Sequence, residues 1–91
     1  MNNEKKQHNL ISLRFSVTGK PVVTIEKVNV NQPLQVSVEK ALVKTGSTRP
    51  IKDYDVLFNN NILDITQRIE TLELIEGVLL MVSLSSGKGG K

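Results

Sequence analysis

The chain has 91 residues, with 12 basic and 9 acidic side chains, a formal charge of +3 and no cysteine. This length allows one small domain, and the lack of cysteine excludes disulfide bonds, thiolate metal ligands and a cysteine nucleophile. No apolar run is long enough to span a membrane and residues 1–9 lack a secretion signal, so a cytoplasmic protein without a membrane partner is expected.

The chain begins with a polar segment, residues 1–9, which we expect to be a disordered lead-in. Apolar and polar residues then alternate over residues 11–17, and a second β-branched run covers residues 22–28. A spacing of two predicts strands with one buried face. Because residues 18–21 carry the Gly-Lys-Pro chemistry of a turn, the two strands are predicted to form a hairpin.

A single helix is predicted next. Its apolar stripe recurs at three- and four-residue spacing and consists of Leu34, Val38, Ala41, Leu42 and Thr45. Gly46 is the residue type favoured just past a helix end. The helix start is placed near Asn31, Gln35 or Ser37, each of which can act close to an N-cap.

The second half of the chain is predicted to hold two further strands and a short return segment. Alternation at Tyr54, Val56 and Phe58 indicates a strand, and residues 59–61, all Asn, indicate a tight turn. Residues 62–65 form the return segment, residues 66–76 one helical turn and a loop, and residues 78–84 the last strand. The predicted core consists of Ile11, Leu13, Phe15, Val17, Val38, Leu42, Val56, Phe58, Leu80 and Val82.

This order predicts an α+β fold of two layers, in which one main helix lies across a mixed sheet. If the first and last strands pair, they run parallel, and the connecting segments are long enough for the crossover. The predicted domain covers residues 10–84. Residues 85–91, with sequence SSGKGGK, are predicted to be a flexible, exposed diglycine tail.

Several local patterns resemble ubiquitin and its β-grasp relatives over roughly residues 10–90. Residues 55–60 resemble the third strand of ubiquitin and its turn, and residues 80–84 resemble the final strand leading to the tail. Residues 18–22, Ala41-Leu42, Thr45-Gly46 and Arg49-Pro50 are similar to a small bacterial ubiquitin-like family. Members of that family lie in operons beside E1-like, E2-like and processing-peptidase genes.

The resemblance implies a protein modifier rather than an enzyme, with no cofactor and no catalytic residue of its own. Removal of Lys91 would expose the Gly90 carboxylate for attachment, with Gly89 keeping the end of the chain slender. The implied partners are an E1-like activating enzyme, an E2-like conjugating enzyme, a processing or deconjugating peptidase and a target protein. The implied partner-binding surface consists of Leu57, Leu79 and Met81, because Ser83 stands where ubiquitin has an apolar residue on its last strand.

Two alternatives share this fold. One is a sulfur carrier whose terminal diglycine becomes a thiocarboxylate, although such proteins normally end at the second glycine. The other is a ubiquitin-like binding domain that is not conjugated.

The sequence gives little support for a serine hydrolase, a metal site or nucleic-acid binding. His8, in the lead-in, is the only histidine, so Ser85 and Ser86 have no histidine base. The carboxylates Asp53, Asp55 and Asp64 lie beside turns, where aspartate commonly bonds to the backbone, and no metal site is predicted. Nucleic-acid binding is not predicted either, because the charges between the two ends nearly balance and aromatic residues are few.

Overall fold

The computed structural model describes residues 9–85, which form five strands, one α-helix and one short 3₁₀ helix. The strands are β1 (Leu10–Val17), β2 (Val23–Asn29), β3 (Tyr54–Phe58), β4 (Asn61–Ile62) and β5 (Val78–Leu84). The helix α1 covers Leu34–Lys44, and the 3₁₀ helix covers Ile51–Asp53. The predicted lead-in, apart from Asn9, and the tail beyond Ser85 lie outside the described residues. No helix within residues 9–85 is long and apolar enough to cross a membrane.

The five strands form one mixed sheet in the order β2-β1-β5-β3-β4. The first and last strands are parallel neighbours, with Phe15 opposite Leu80 and Val17 opposite Val82. All other neighbouring strands are antiparallel. Helix α1 contacts β1 and β2 and supplies part of the crossover that a parallel pair requires. The predicted α+β, ubiquitin-like β-grasp arrangement is confirmed.

The core lies between α1 and one face of the sheet. Eight of the ten predicted core residues are buried, whereas Ile11 and Phe58 are only half-buried. Both stand near strand ends, Ile11 at the start of β1 and Phe58 at the last position of β3, so they pack at the margin of the core. The core also contains Ile25, Val28, Leu34, Ala41, Ile69 and Leu74.

The two ends of α1 are held differently. At the C-terminal end, Gly46 has a φ of 72° and donates to the carbonyl of Val43, while Ser47 donates to the carbonyl of Leu42. These two bonds form a Schellman motif, so the predicted helix end is confirmed.

The start of α1 lies between two of the candidate positions, Asn31 and Gln35, and none of the candidates caps it through a side chain. The N-cap is Pro33, with no side-chain cap, and Ser37 is buried within the helix. Instead, the amide of Leu34 donates to the Gln67 carbonyl at 3.0 Å and that of Gln35 to the Ile65 carbonyl at 2.9 Å.

The β3–β4 hairpin is tighter than predicted. Asn59 and Asn60 both have positive φ, at 53° and 67°, while Asn61 already lies in β4 opposite Phe58. Two consecutive left-handed residues are the geometry of a two-residue hairpin turn, which Asn tolerates. The return strand is therefore only Asn61–Ile62. In the irregular segment that follows, Leu72 donates to the Arg68 carbonyl at 3.1 Å, which is the one helical turn predicted there.

Candidate functional site

The tail leaves the domain at Ser85, whose position is fixed by backbone hydrogen bonding and is called the tail exit below. Leu84, the last residue of β5, lies opposite Tyr54 of β3. The next amide, that of Ser85, donates to the carbonyl of Asp53 at 2.9 Å, and Ser85 is buried. Ser85 is predicted to begin the exposed tail, whereas in the structure it is buried and bonded to Asp53.

Short elements on two sides hold this exit point in place. On one side, Asp53 ends the 3₁₀ helix, where its amide donates to the Pro50 carbonyl at 3.0 Å. Its carboxylate pairs with the guanidinium of Arg49 at 3.7 Å. On the other side, the amide of Thr18 donates to the Val82 carbonyl at 3.0 Å. Gly89, Gly90 and Lys91 lie outside the described residues, and Ser85, the last described residue, is bonded to Asp53.

The structure brings the three predicted surface residues together on the outer face of the sheet, away from α1. Leu57 of β3 is the register partner of Met81 of β5, and Leu79 lies two residues before Met81 on the same face. Leu80 and Val82 alternate with them and are buried in the core. Leu79 is 37% exposed and Met81 49% exposed, whereas Leu57 is half-buried.

A fourth apolar residue belongs to this surface and was missed from the sequence. Ile62 lies opposite Leu57 across the hairpin and is 65% exposed. The run of asparagines was the available signal, because a two-residue turn sets the pairing of Leu57 with Ile62. Leu57, Ile62, Leu79 and Met81 are called the outer-face patch below.

Polar residues border the outer-face patch. Arg14, the register partner of Leu79, donates from Nε to the Gly77 carbonyl at 2.8 Å. Ser16 lies beside Met81, and Ser83 pairs with Asp55 toward the tail exit. Ser83 is half-buried. Exposed apolar residues that adjoin one another within a polar rim are typical of a protein-docking surface.

The described residues offer little of the chemistry of an active site. Within residues 9–85, no three His, Cys, Asp or Glu side chains are grouped so that they could hold a metal ion. Asp64 accepts hydrogen bonds from the hydroxyl of Thr66 at 2.6 Å and from its amide at 3.0 Å. These bonds hold the pKa of the Asp64 carboxyl below its usual 3.8. The Asp64 carboxylate therefore stabilises the turn that contains Thr66.

Solved structures with a ubiquitin-like fold resemble this chain over most of its length. A structure described as molecular mimicry of SUMO that promotes DNA repair has a TM-score of 0.74 and 16% identity, covering 85% of this chain and 94% of its own. Ubiquitin of Caldiarchaeum subterraneum has a TM-score of 0.70 and 14% identity, covering 84% and 94%. The ubiquitin-like domain of Plasmodium falciparum Dsk2 has a TM-score of 0.67 and 17% identity, covering 84% and 99%. At these identities the likeness shows the fold.

No curated protein is significantly similar to this chain. One family model, described as Protein of Unknown function (DUF2604), matches residues 6–90. The match covers nearly the whole sequence, from the lead-in to the second glycine of the diglycine. The chain therefore belongs to the DUF2604 family.

Proposed function

We propose that this chain is a ubiquitin-like protein modifier that is attached to its targets through the carboxylate of Gly90. One observation carries the proposal: a diglycine follows the last strand of a ubiquitin-like domain, a few residues beyond the anchored Ser85. Glycine has no Cβ, so Gly89 and Gly90 present the thinnest backbone that a polypeptide can offer to an enclosed catalytic site.

The chemistry of attachment uses groups supplied by other proteins. A peptidase hydrolyses the amide between Gly90 and Lys91, releasing lysine and leaving the Gly90 carboxylate. That carboxylate attacks ATP at the α-phosphate, forming an acyl-adenylate and releasing pyrophosphate. A thiolate of an E1-like enzyme displaces AMP, and the thioester passes to an E2-like enzyme. A nucleophile of the target then takes the acyl group and frees the E2 thiol. The proposed location is the cytoplasm, where ATP for the activation step is available.

The outer-face patch is the proposed docking surface for these enzymes. Its four side chains lie on adjacent strands of a rigid sheet, so they can be buried by a partner with little loss of conformational freedom. β5, which carries Leu79 and Met81, continues directly into the tail exit. Docking at this face therefore holds the base of the tail in a defined place relative to the partner.

The proposed function is tested by intact-mass analysis with a cognate E1-like enzyme and ATP. We expect a chain ending at Gly90 to form an adenylate or thioester, and the chain that retains Lys91 to remain unreacted until a peptidase removes it. A Gly90→Val variant of the shortened chain is the matched control, since it adds bulk at the attachment residue and leaves residues 9–85 unchanged. Activation with Lys91 still present, or unimpaired activation of Gly90→Val, contradicts the proposal.

The same experiment, with an E2-like enzyme, a target protein and a sulfide donor added, separates the modifier from a sulfur carrier. A modifier transfers its acyl group to a protein and increases the mass of that protein by its own mass less one water. A sulfur carrier instead accumulates as a free chain in which one terminal oxygen is replaced by sulfur. Accumulation of the thiocarboxylate without any conjugate overturns the modifier hypothesis.

A further inference from the structure

Helix α1 has a second face, which lies beside the edge strand β2 and is not used by the core. Its residues recur at three- and four-residue spacing and are called the lateral face below: Val36, Glu39, Lys40 and Val43. Glu39 and Lys40 are exposed, and Val43 has 78% of its surface exposed. None of the four belongs to the outer-face patch or to the tail exit, so the lateral face is a separate surface.

The order of residues on the lateral face is self-complementary. An apolar residue stands at each end, and two opposite charges stand at the centre. When two copies of α1 lie side by side in opposite directions about the midpoint of residues 39 and 40, Val36 of one copy is level with Val43 of the other. Glu39 is then level with Lys40 of the second copy. A two-fold contact of this kind uses the same surface on both copies.

The charges along the lateral face favour a second copy over a partner of one sign. Glu39 and Lys40 are adjacent on a helix and therefore do not face each other. Neither takes part in the ion pairs found within residues 9–85. The groove between α1 and β2 adds one further acid, Glu26, and one further base, Lys44. Because acids and bases are equal in number, only a partner that carries both signs can match them.

The edge of the sheet allows two helices to approach in this way. Among residues 9–85, β2 pairs only with β1, and its register is regular over residues 23–25. A two-fold axis at Thr24, which lies across the groove from the lateral face, pairs these residues antiparallel with those of a second copy. α1 lies over both β1 and β2. Since strands are about 4.8 Å apart, the two helices come to lie roughly 10 Å apart, a distance at which helices pack.

From these features we propose that the lateral face and the β2 edge bind a second copy of this chain, which gives a two-fold dimer. The two five-stranded sheets join at β2, with both helices on one side and both outer-face patches on the other. The tail exit lies on β5 and β3, so the contact leaves it uncovered. The contact surface is small, and we expect a weak dimer with a dissociation constant of order 0.1 mM.

Sedimentation equilibrium of the full chain tests the proposal, over a range from about 10 μM to about 1 mM that brackets the expected dissociation constant. The average mass should rise toward that of a dimer. Val43→Gln should lose this association, because it places an amide where apolar contacts form on both sides of the axis. Ile62→Gln, the same kind of change in the outer-face patch, should keep it. A chain that stays a monomer throughout, or a Val43→Gln variant that associates like the parent, overturns the proposal.

Exchange of the central charges distinguishes this contact from nonspecific association. Lys40→Glu and Glu39→Lys each place four like charges at the axis, so each variant alone should dimerise at least about tenfold more weakly than the parent. An equal mixture of the two variants should dimerise at least as well as the parent, because each supplies the charge that the other lacks. The double variant Glu39→Lys, Lys40→Glu should also regain the affinity of the parent. If the mixture does not associate, or if either single variant dimerises like the parent, the antiparallel contact is wrong.

Discussion

At the scale of single residues, Lys27 has an unusual backbone conformation. Its φ is 57°, in the left-handed region, and with Glu26 it forms a bulge in which two residues of β2 face Ser12 of β1. A side chain with a Cβ is disfavoured in this region, and the cost of such strain is of order 1–3 kcal/mol. The bulge also interrupts the edge of β2, which limits the length of strand that can pair with it.

Replacement of Lys27 by glycine should therefore leave the stability unchanged or raise it by up to about 1 kcal/mol, because relief of strain outweighs the extra entropy of the unfolded glycine. Lys27→Val, at the same exposed position, should instead destabilise by roughly 1–2 kcal/mol, since a β-branched residue tolerates positive φ least. Urea unfolding of the two variants measures the difference. Equal stabilities would show that this backbone conformation is not strained.

Asp64 makes stability depend on pH in a predictable direction. Hydrogen bonds from Thr66 favour the charged carboxylate, so its pKa in the folded chain lies below 3.8. As the pH falls, the Asp64 carboxyl is therefore protonated in the unfolded chain before it is protonated in the folded chain. The contribution of Asp64 to stability is complete above about pH 3.8. It is lost as the pH falls through the lower pKa that Asp64 has in the folded chain.

Thermal unfolding of the parent chain and of Asp64→Asn over a pH series checks this prediction. The uncharged amide keeps a carbonyl that can accept from Thr66 but does not ionise. The parent should be the more stable at neutral pH, and the difference between the two melting temperatures should shrink in acid. A difference that is constant with pH would contradict this role for the Asp64 charge.

At the scale of secondary structure, α1 contributes to stability through the one stripe that faces the sheet. Leu42 is 5% exposed within the core, whereas the adjacent Val43 points to solvent. Leu42→Ala should cost about 2–5 kcal/mol through lost burial and the cavity it leaves. Val43→Ala, the matched control, should change stability by less than about 0.5 kcal/mol. Chemical denaturation of both variants tests the packing, and a Leu42→Ala variant that unfolds with the parent would contradict it.

Local signals predicted those elements whose ends are held by neighbouring residues. The end of α1 was found because Gly46 and Ser47 close it within a few residues. Its start was not found, because the capping carbonyls of Ile65 and Gln67 come from a distant loop. The core followed the same rule. Alternation identified Phe15 and Leu80, whereas the burial of Ile69 and Leu74 depends on how an irregular segment folds back.

The candidate site, like the fold, was predicted only in part from the sequence. Leu57, Leu79 and Met81 were found because strand alternation separates outward from inward residues. Ile62 was missed because its place depends on a turn one residue shorter than expected. Ser85 carries no local signal of its anchoring, since its bond is to Asp53, far away in the sequence.

At the scale of the whole molecule, the outer-face patch lies on the side of the sheet away from α1, so substitutions there should leave the core intact. A Met81→Gln, Ile62→Gln double variant should slow transfer of the chain to its E1-like enzyme at least tenfold, because both residues are exposed and central to the patch. Its unfolding free energy should change by less than about 0.5 kcal/mol per site. Thioester formation at limiting chain concentration measures the effect.

Val43→Gln is the control for this prediction, as it places the same polar side chain on the other face. It should form the thioester at the rate of the parent chain. If the double variant reacts normally, the outer-face patch is not the surface that the activating enzyme binds.

Because Ser85 is held in place, the tail acts as a tether whose maximum length can be calculated. Residues 86–90 extend from it, and five residues span at most about 17 Å when fully stretched. A docked partner must therefore place its reacting groups within that radius of the Asp53 carbonyl. Inside the radius, the terminal carboxylate has an effective concentration of millimolar order or higher, which decreases only gradually as a tether lengthens. Each deleted residue removes about 3.5 Å from the maximum length of the tail. A shortened tail should therefore stop the reaction abruptly, whereas a lengthened tail should only slow it.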